Sequence, residues 1–254
     1  MVKLLFLGSG SAFTVGADNF QSNMLLLGDR GNKLLIDCGS DIRFSLYEAG
    51  FSHLDITDIY ISHLHGDHVG GLEYIGFSTK FDPRCARPNL YLSKEVGIDL
   101  WNKTLSGGMS SIDGELAEID TFFQVNYIKP RGSFIWNNIT FDLKKVIHVD
   151  NGYYLMPSYG LFFQVNNFKI LITTDTQLQT NVMRSSYLAA DLIFQDCEIA
   201  NYPTNIHAHY QQLANLPKQI KNKMWLYGYQ PGNLPNARQD GFLGFVKRGQ
   251  VFEF

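Results

Sequence analysis

Short apolar runs separated by turns rich in glycine, asparagine and serine recur along the chain, a pattern of many strands with occasional helices. Residues 2–7 predict a first strand that runs into Gly8-Ser9-Gly10-Ser11. That loop lacks the lysine of a phosphate-binding P-loop and the third glycine of a dinucleotide motif, so a flexible turn is expected. Residues 23–28 and 33–37, on either side of Asp29-Arg30-Gly31-Asn32, predict a hairpin. Ser40 is the expected N-cap of a helix that Gly50 ends, and residues 56–61 form the next apolar run.

A second unit echoes the first. Residues 159–165, the turn Asn166-Asn167 and residues 168–175 predict another hairpin, whose second strand ends in Asp175 as residues 33–37 end in Asp37. The echo suggests two similar β-rich halves that deliver both acids to one end of their strands. Chance similarity between two apolar strands explains it equally well. A helix over 185–190, a strand over 192–195, a helix near 210–222 and a strand over 224–227 complete the layout. Two sheets packed face to face, with helices on the outer faces, are expected. Periodicity is weakest between residues 77 and 133, where Pro83, Pro88 and Gly107-Gly108 favour loops around one helical piece near 94–105. A substrate-facing or subunit-facing insertion, or a plain surface loop, belongs there. With no linker visible in 254 residues, a single domain over residues 1–254 is expected.

Charge and cysteine usage narrow the class. A net charge of −3 and a pI near 6.1 offer no general attraction for large nucleic acid. Cys38, Cys85 and Cys197 show no Cys-x-x-Cys spacing, which argues for a reducing compartment and against a disulfide framework. The first apolar run is too short for a signal peptide, and nothing approaches the roughly 20 apolar residues of a membrane span. A cytoplasmic protein with no membrane partner is expected.

Against this background one stretch stands out, Ser62-His63-Leu64-His65-Gly66-Asp67-His68, directly after an apolar run. Buried as core, every imidazole would need a partner and the aspartate a positive one. A strand ending in a tight, glycine-containing turn would instead fan these side chains around two adjacent cations. Imidazole nitrogen and carboxylate oxygen are ligands of zinc, with manganese or iron possible on the same set. A solvated surface loop is the alternative.

Together with Asp37, His148 and Asp175, the His63-x-His65-x-Asp67-His68 element resembles metallo-β-lactamase-like hydrolases, in the same order, over nearly the whole chain. The resemblance implies an α/β protein, an αββα sandwich of two mixed β-sheets. It implies two Zn2+ per chain, or Mn2+ in their place. His63, His65 and His148 would hold one, Asp67 and His68 the other, with Asp175 bridging and Asp37 bracing the histidine loop from behind. Ala190-Asp191-Leu192-Ile193-Phe194-Gln195-Asp196, His207-Ala208-His209 and Met224-Trp225-Leu226-Tyr227-Gly228-Tyr229-Gln230 are similar to the ribonuclease Z-like phosphodiesterase branch. There His207 would assist proton transfer or hold phosphate, with His209 as a second candidate and a surface His-x-His as the plain alternative.

One position departs from that pattern. The branch ends its last core strand in a histidine that completes the second metal site, and here the residue is Gly228. Tyr227, Tyr229, His209 or a partner-chain residue could substitute; one metal could be tight and the other exchangeable; or the chain is a metal-impaired form. A lone glycine in a strand offers no packing benefit, which favours the last reading, while a bend near the site is the structural alternative.

A cation pair lowers the pKa of water toward ~7 and clamps a phosphoryl oxygen. Asp67 and His207 are the expected catalytic residues, His207 as general acid toward the leaving sugar oxygen. No Gly-x-Ser-x-Gly elbow offers a rival nucleophile. The long Gly- and basic-rich arm with which ribonuclease Z grips tRNA is missing, so a small cyclic nucleotide is the expected substrate. Asn151-Gly152-Tyr153-Tyr154-Leu155-Met156-Pro157-Ser158-Tyr159-Gly160 and the run 224–230 resemble the phage and bacterial anti-Pycsar group. That likeness implies a homodimeric, metal-dependent phosphodiesterase that destroys cyclic nucleotide immune signals. Tyr153 and Tyr154 could stack on a base or serve packing. A protein that sequesters its ligand without turnover and a tRNA 3′-processing endonuclease are the alternatives.

Overall fold

The computed structural model describes residues 1–15, 18–29 and 31–254, so Arg30 of the expected first turn lies outside the described residues. Strands β1 (Lys3–Phe6), β2 (Met24–Leu27), β3 (Lys33–Ile36), β4 (Asp58–Ile61) and β5 (Asn89–Ser93) come first. A small ribbon, β6 (Ser111–Ile112) and β7 (Glu115–Leu116), precedes β8 (Gln124–Ile128). Then follow β9 (Ser133–Trp136), β10 (Ile139–Asp150), β11 (Leu155–Val165), β12 (Phe168–Ile172), β13 (Leu192–Asp196), β14 (Met224–Tyr227), β15 (Gly244–Phe245) and β16 (Val251–Glu253). One mixed sheet has the order β16-β1-β2-β3-β4-β5-β8, and the other runs from β15 down to β9 in sequence order.

The echo read in the sequence has a topological counterpart. In the first sheet β2 and β3 are antiparallel and β3 runs parallel to β4; in the second, β11 and β12 are antiparallel and β12 runs parallel to β13. The chain bends sharply just past each central strand, at Asp37 (φ 63°) and Thr174 (φ 54°). Residues beyond the carboxyl ends of parallel strands are the usual position of a site in α/β proteins.

Alternation along the strands builds the layers. On β12, Ile170 and Ile172 pack in the core between the sheets while Leu171 faces the outer helices. Likewise Phe194 points inward and Ile193 outward on β13, as a period of two demands. The inner core is aromatic, with Phe6 and Phe194 centred 5.2 Å apart and Phe134 stacked on Phe141 at 5.0 Å. Outside the second sheet, Met183 and Tyr187 of the helix Thr180–Ala189, Leu213 of Tyr210–Ala214 and Ile220 of Lys218–Lys221 cover Ile193 and Leu226.

Local expectations are corrected in four places. Asp41, not Ser40, stands at the N-cap of the helix Ile42–Glu48, while Ser40 Oγ pairs with Gln21. The loop after β1 is fastened rather than flexible: Gly10 bridges to both Gln21 and Tyr229, and Ser9 N donates to Asn19. The stretch 77–133 contains two full strands of the first sheet, β5 and β8, whose short apolar runs were masked by the prolines around them. The helix near 210–222 is broken in two, with Pro217 opening the second piece. Among the described residues no helix is long and apolar enough to cross a membrane.

Candidate metal centre

Beyond β4 the chain passes through Ser62 to His65, which stands at the N-cap position of the one-turn helix Gly66–Val69 without a side-chain capping bond. The end of β3 clamps this turn, with Cys38 N donating to His68 O (2.8 Å) and Gly71 N to Cys38 O (2.9 Å). Gly39 permits the approach, since a Cβ there would sit 2.2 Å from the Asp67 carbonyl oxygen.

Asp37 stands beneath the turn with both oxygens in use. Its Oδ1 accepts from Ser62 N (2.8 Å), and its Oδ2 accepts from Ser62 Oγ and from His68 Nδ1, each at 2.8 Å. Because the Ser62 hydroxyl proton goes to Asp37, its oxygen accepts from His63 Nδ1 at 3.0 Å. His148 Nδ1 donates to Ile206 O at 2.7 Å. These outer bonds fix the tautomers and turn bare Nε2 atoms of His63 and His148 inward.

What they face is Asp175. Its Oδ2 lies 3.2 Å from His68 Nε2 and 3.8 Å from both His63 Nε2 and His148 Nε2. His65 Nδ1 closes the ring, 3.1 Å from His63 Nε2 and 3.0 Å from His148 Nε2. Asp67 Oδ2 adds a contact to His68 Nε2 at 3.1 Å. Two groups could hold a cation, His63, His65, His148 and Asp175 in one and Asp67, His68 and Asp175 in the other, with Asp175 common to both. Mutually facing lone pairs have no reason to converge without a positive charge between them, so this donor set fits a pair of divalent cations.

The electrostatics agree. Burial holds His63, His65 and His148 below the ordinary histidine range, His148 at about 4, so they stay neutral. Burial opposes charge on His68 too, but Asp175, Asp67 and Asp37 override it and hold its pKa well above the usual value. Asp175 is held well below the carboxylate range, its burial outweighed by His68. In the metal-free protein a proton on His68 therefore does part of a cation's work.

A third group extends from Asp175. His207 Nδ1 lies 2.8 Å from Asp196 Oδ2 and 3.9 Å from Asp175 Oδ2. Burial lowers the His207 pKa, but Asp196 reverses that and lifts it to about 10, while burial lifts Asp196 to about 6 against the His207 charge. At neutral pH they form an ion pair. Glu198 holds the preceding loop through Thr204 N (2.7 Å) and through its backbone pairing with Ala208 and Tyr210. Sequence reasoning assigned no role to Asp196, Glu198 or Ser62. Asp196 carried a usable signal, since it closes an apolar run in the sequence much as Asp37 and Asp175 do. A cavity of about 430 Å³ opens over these groups, lined by Phe13, Gln21, His65, Asp67, Asp175 and His207.

Other expected site residues lie elsewhere. His209 caps the helix Tyr210–Ala214, accepting from Gln211 N at Nδ1 and donating from Nε2 to Ala200 O. Both nitrogens are thereby used within the fold. Tyr153 is fully exposed and Tyr154 half exposed between β10 and β11. Tyr229 OH bonds Ser9 and Val246 O, whereas Tyr227, buried against Phe6, stays near the centre: burial first, then the charges of Asp196, Asp175 and Asp37, hold its phenol well above the usual value. Gly228 follows β14 with φ +80°, so the bend is the reason for the glycine, and its supposed lack of structural benefit is corrected.

The arrangement is that of a metallo-β-lactamase fold. The protein YhfI from Bacillus subtilis, which has that fold, superposes with a TM-score of 0.77 at 18% identity, over 99% of this chain and 98% of that one. The family model described as "Anti-Pycsar protein Apyc1" matches residues 2–252, and the chain belongs to that family. An anti-Pycsar protein Apyc1 from Paenibacillus harenae is 32% identical over 230 residues, covering 90% of each chain. Another, from Bacillus phage vB_BveM-Goe7, is 28% identical over 258 residues, covering 98% of this chain and 96% of the relative.

Proposed function

We propose that the protein is a metal-dependent phosphodiesterase that opens cyclic mononucleotides, and that it thereby blunts a cyclic nucleotide immune signal in the cytoplasm. The observation that carries this reading is the convergence of His63, His65, His148, Asp67 and His68 on Asp175, with His207 beside it. His63, His65 and His148 would hold one Zn2+ or Mn2+, Asp67 and His68 a second, and Asp175 both. A bound cation pair supplies Lewis acidity, lowering the pKa of water and drawing charge off a phosphoryl oxygen.

The chain's own groups do the rest. Asp37 and Ser62 hold the imidazoles in place, so binding needs little reorganisation. As water adds to phosphorus and the ring P–O bond breaks, the leaving sugar oxygen needs a proton. His207 carries one at neutral pH, and Asp196 on Nδ1 leaves Nε2–H as the donor. The cavity of about 430 Å³ accommodates a single nucleotide better than a polynucleotide.

The test is incubation of cyclic CMP, UMP, AMP and GMP with Zn2+- or Mn2+-loaded protein, followed by chromatography of the nucleotides. Linear monophosphates are expected, and disappear with a chelator. Binding without turnover would replace the enzyme by a sequestering protein. We further propose that residues 1–254 form one domain and that the protein is a homodimer, checked by a single unfolding transition and by light scattering.

A further inference from the structure

The second cation position, as the resemblance describes it, lacks a ligand at residue 228. The structure shows what occupies that space. Gly228 follows β14 at φ +80°, and a Cβ there would sit 2.7 Å from Asp196 Oδ1. Asp196 ends β13, the parallel neighbour of β14, in register with Tyr227. Its carboxylate thus reaches the same end of the sheet from one strand away.

That carboxylate is only half used. Oδ2 accepts from Thr176 N at 3.0 Å and from His207 Nδ1 at 2.8 Å. Oδ1 is buried and has no hydrogen-bond partner among the described residues. A buried carboxylate oxygen without a donor is costly, and a fold retains one where something else meets it. Asp196 also belongs with Asp175 and His207 to a third group of donor atoms lying within 4.8 Å of one another; within it Oδ2 meets His207, and Asp175 links this group to the one formed by Asp67 and His68.

We propose that Asp196 Oδ1 supplies to the second cation the ligand that residue 228 cannot, a reading that rests on the paired-cation centre above. The two positions then differ in chemistry. His63, His65, His148 and Asp175 offer mostly imidazole nitrogen, whereas Asp67, His68, Asp175 and Asp196 offer mostly carboxylate oxygen. Oxygen-rich sets suit harder cations such as Mn2+, and nitrogen-rich sets suit Zn2+. Gly228 thus serves two ends, the bend at φ +80° and the room for this oxygen, which a side chain would displace.

The experiment reads metal rather than turnover. Metal-stripped protein is loaded with Mn2+ or with an equimolar Zn2+ and Mn2+ mixture, and bound metal is counted by mass spectrometry after gel filtration. Manganese affinity is followed by electron paramagnetic resonance. Two equivalents are expected for the unaltered protein, mixed loading giving one of each. Asp196→Asn should weaken the second equivalent by at least about tenfold. Gly228→Ala should weaken it as well, although it removes no donor atom, and this second variant decides the matter if the first does not fold. His207→Gln should keep both equivalents.

Retention of two tight equivalents by both Asp196→Asn and Gly228→Ala would overturn the proposal. So would equal weakening by His207→Gln, since Asp196 would then act through His207. A single equivalent in the unaltered protein would overturn it too, while leaving the first cation in place. Failure of the unaltered protein to bind any cation would instead remove the paired-cation centre itself.

Discussion

Asp37 lies just beyond β3 of the first sheet and Asp196 ends β13 of the second, yet they are used in opposite ways. Asp37 accepts three hydrogen bonds, and both of its oxygens are spoken for. Asp196 accepts two on one oxygen, and its other oxygen is buried without a hydrogen-bond partner among the described residues. A carboxylate whose two oxygens both accept from protein donors serves to orient its neighbours. One with a buried oxygen that no described residue engages remains available to a cation. The first sheet supplies a rigid cradle for histidines, and the second supplies a rim whose chemistry is unfinished without a ligand.

The sharpest break of this comparison lies at the ligands that both sheets share. His63→Ala and His148→Ala should abolish the first cation and turnover, exceeding the roughly 10–100-fold loss of outer-contact changes, as metal counting and nucleotide hydrolysis would show. Next comes the brace. Asp37→Ala leaves His68 and Ser62 without their buried partner, and breaking such a pair costs about 3–5 kcal/mol. Urea unfolding of the metal-free protein should show that loss, and titration calorimetry a lower affinity for both cations.

A smaller effect distinguishes proton from metal. The His68 pKa in the metal-free fold is raised, so its contribution to stability is full below the ordinary histidine value and is lost as pH rises through the raised one. Cation binding must displace that proton. Affinity should therefore fall as pH falls, by about tenfold per unit, and calorimetry in buffers of different ionisation enthalpy should count about one proton released. An affinity independent of pH would contradict the charge balance described for His68.

Two smaller changes calibrate the scale. Gly228→Ala forces a side chain into positive φ and should destabilise the fold by about 1–2 kcal/mol beyond its effect on metal, read in thermal melts with chelator. Tyr153→Ala, fully exposed, should change stability by less than about 0.5 kcal/mol.

Much of the fold was legible in the chain because it rests on local periodicity. Both hairpins, the strands near residues 192 and 224 and the two-sheet layout follow from alternation and turn chemistry. β5 and β8 were hidden because strands of five residues among prolines and glycines look like loop until neighbours pair with them. His209 looked like a site residue because a His-x-His pair reads identically whether its rings meet a ligand or cap a helix. The same holds for Gly228, where absence of a side chain was visible and its reason was not.

By itself, the sequence determined the donors that lie close along the chain. His63, His65, Asp67 and His68 follow one strand, and a single turn must present them together whatever surrounds it. Tertiary structure alone decided which lone pairs remain free, because that depends on partners 58 residues away, as for His148 and Ile206, or on the neighbouring strand, as for Asp196 and Gly228. Spacing chooses the candidates for a site, and the hydrogen bonds that folding completes or leaves open choose among them.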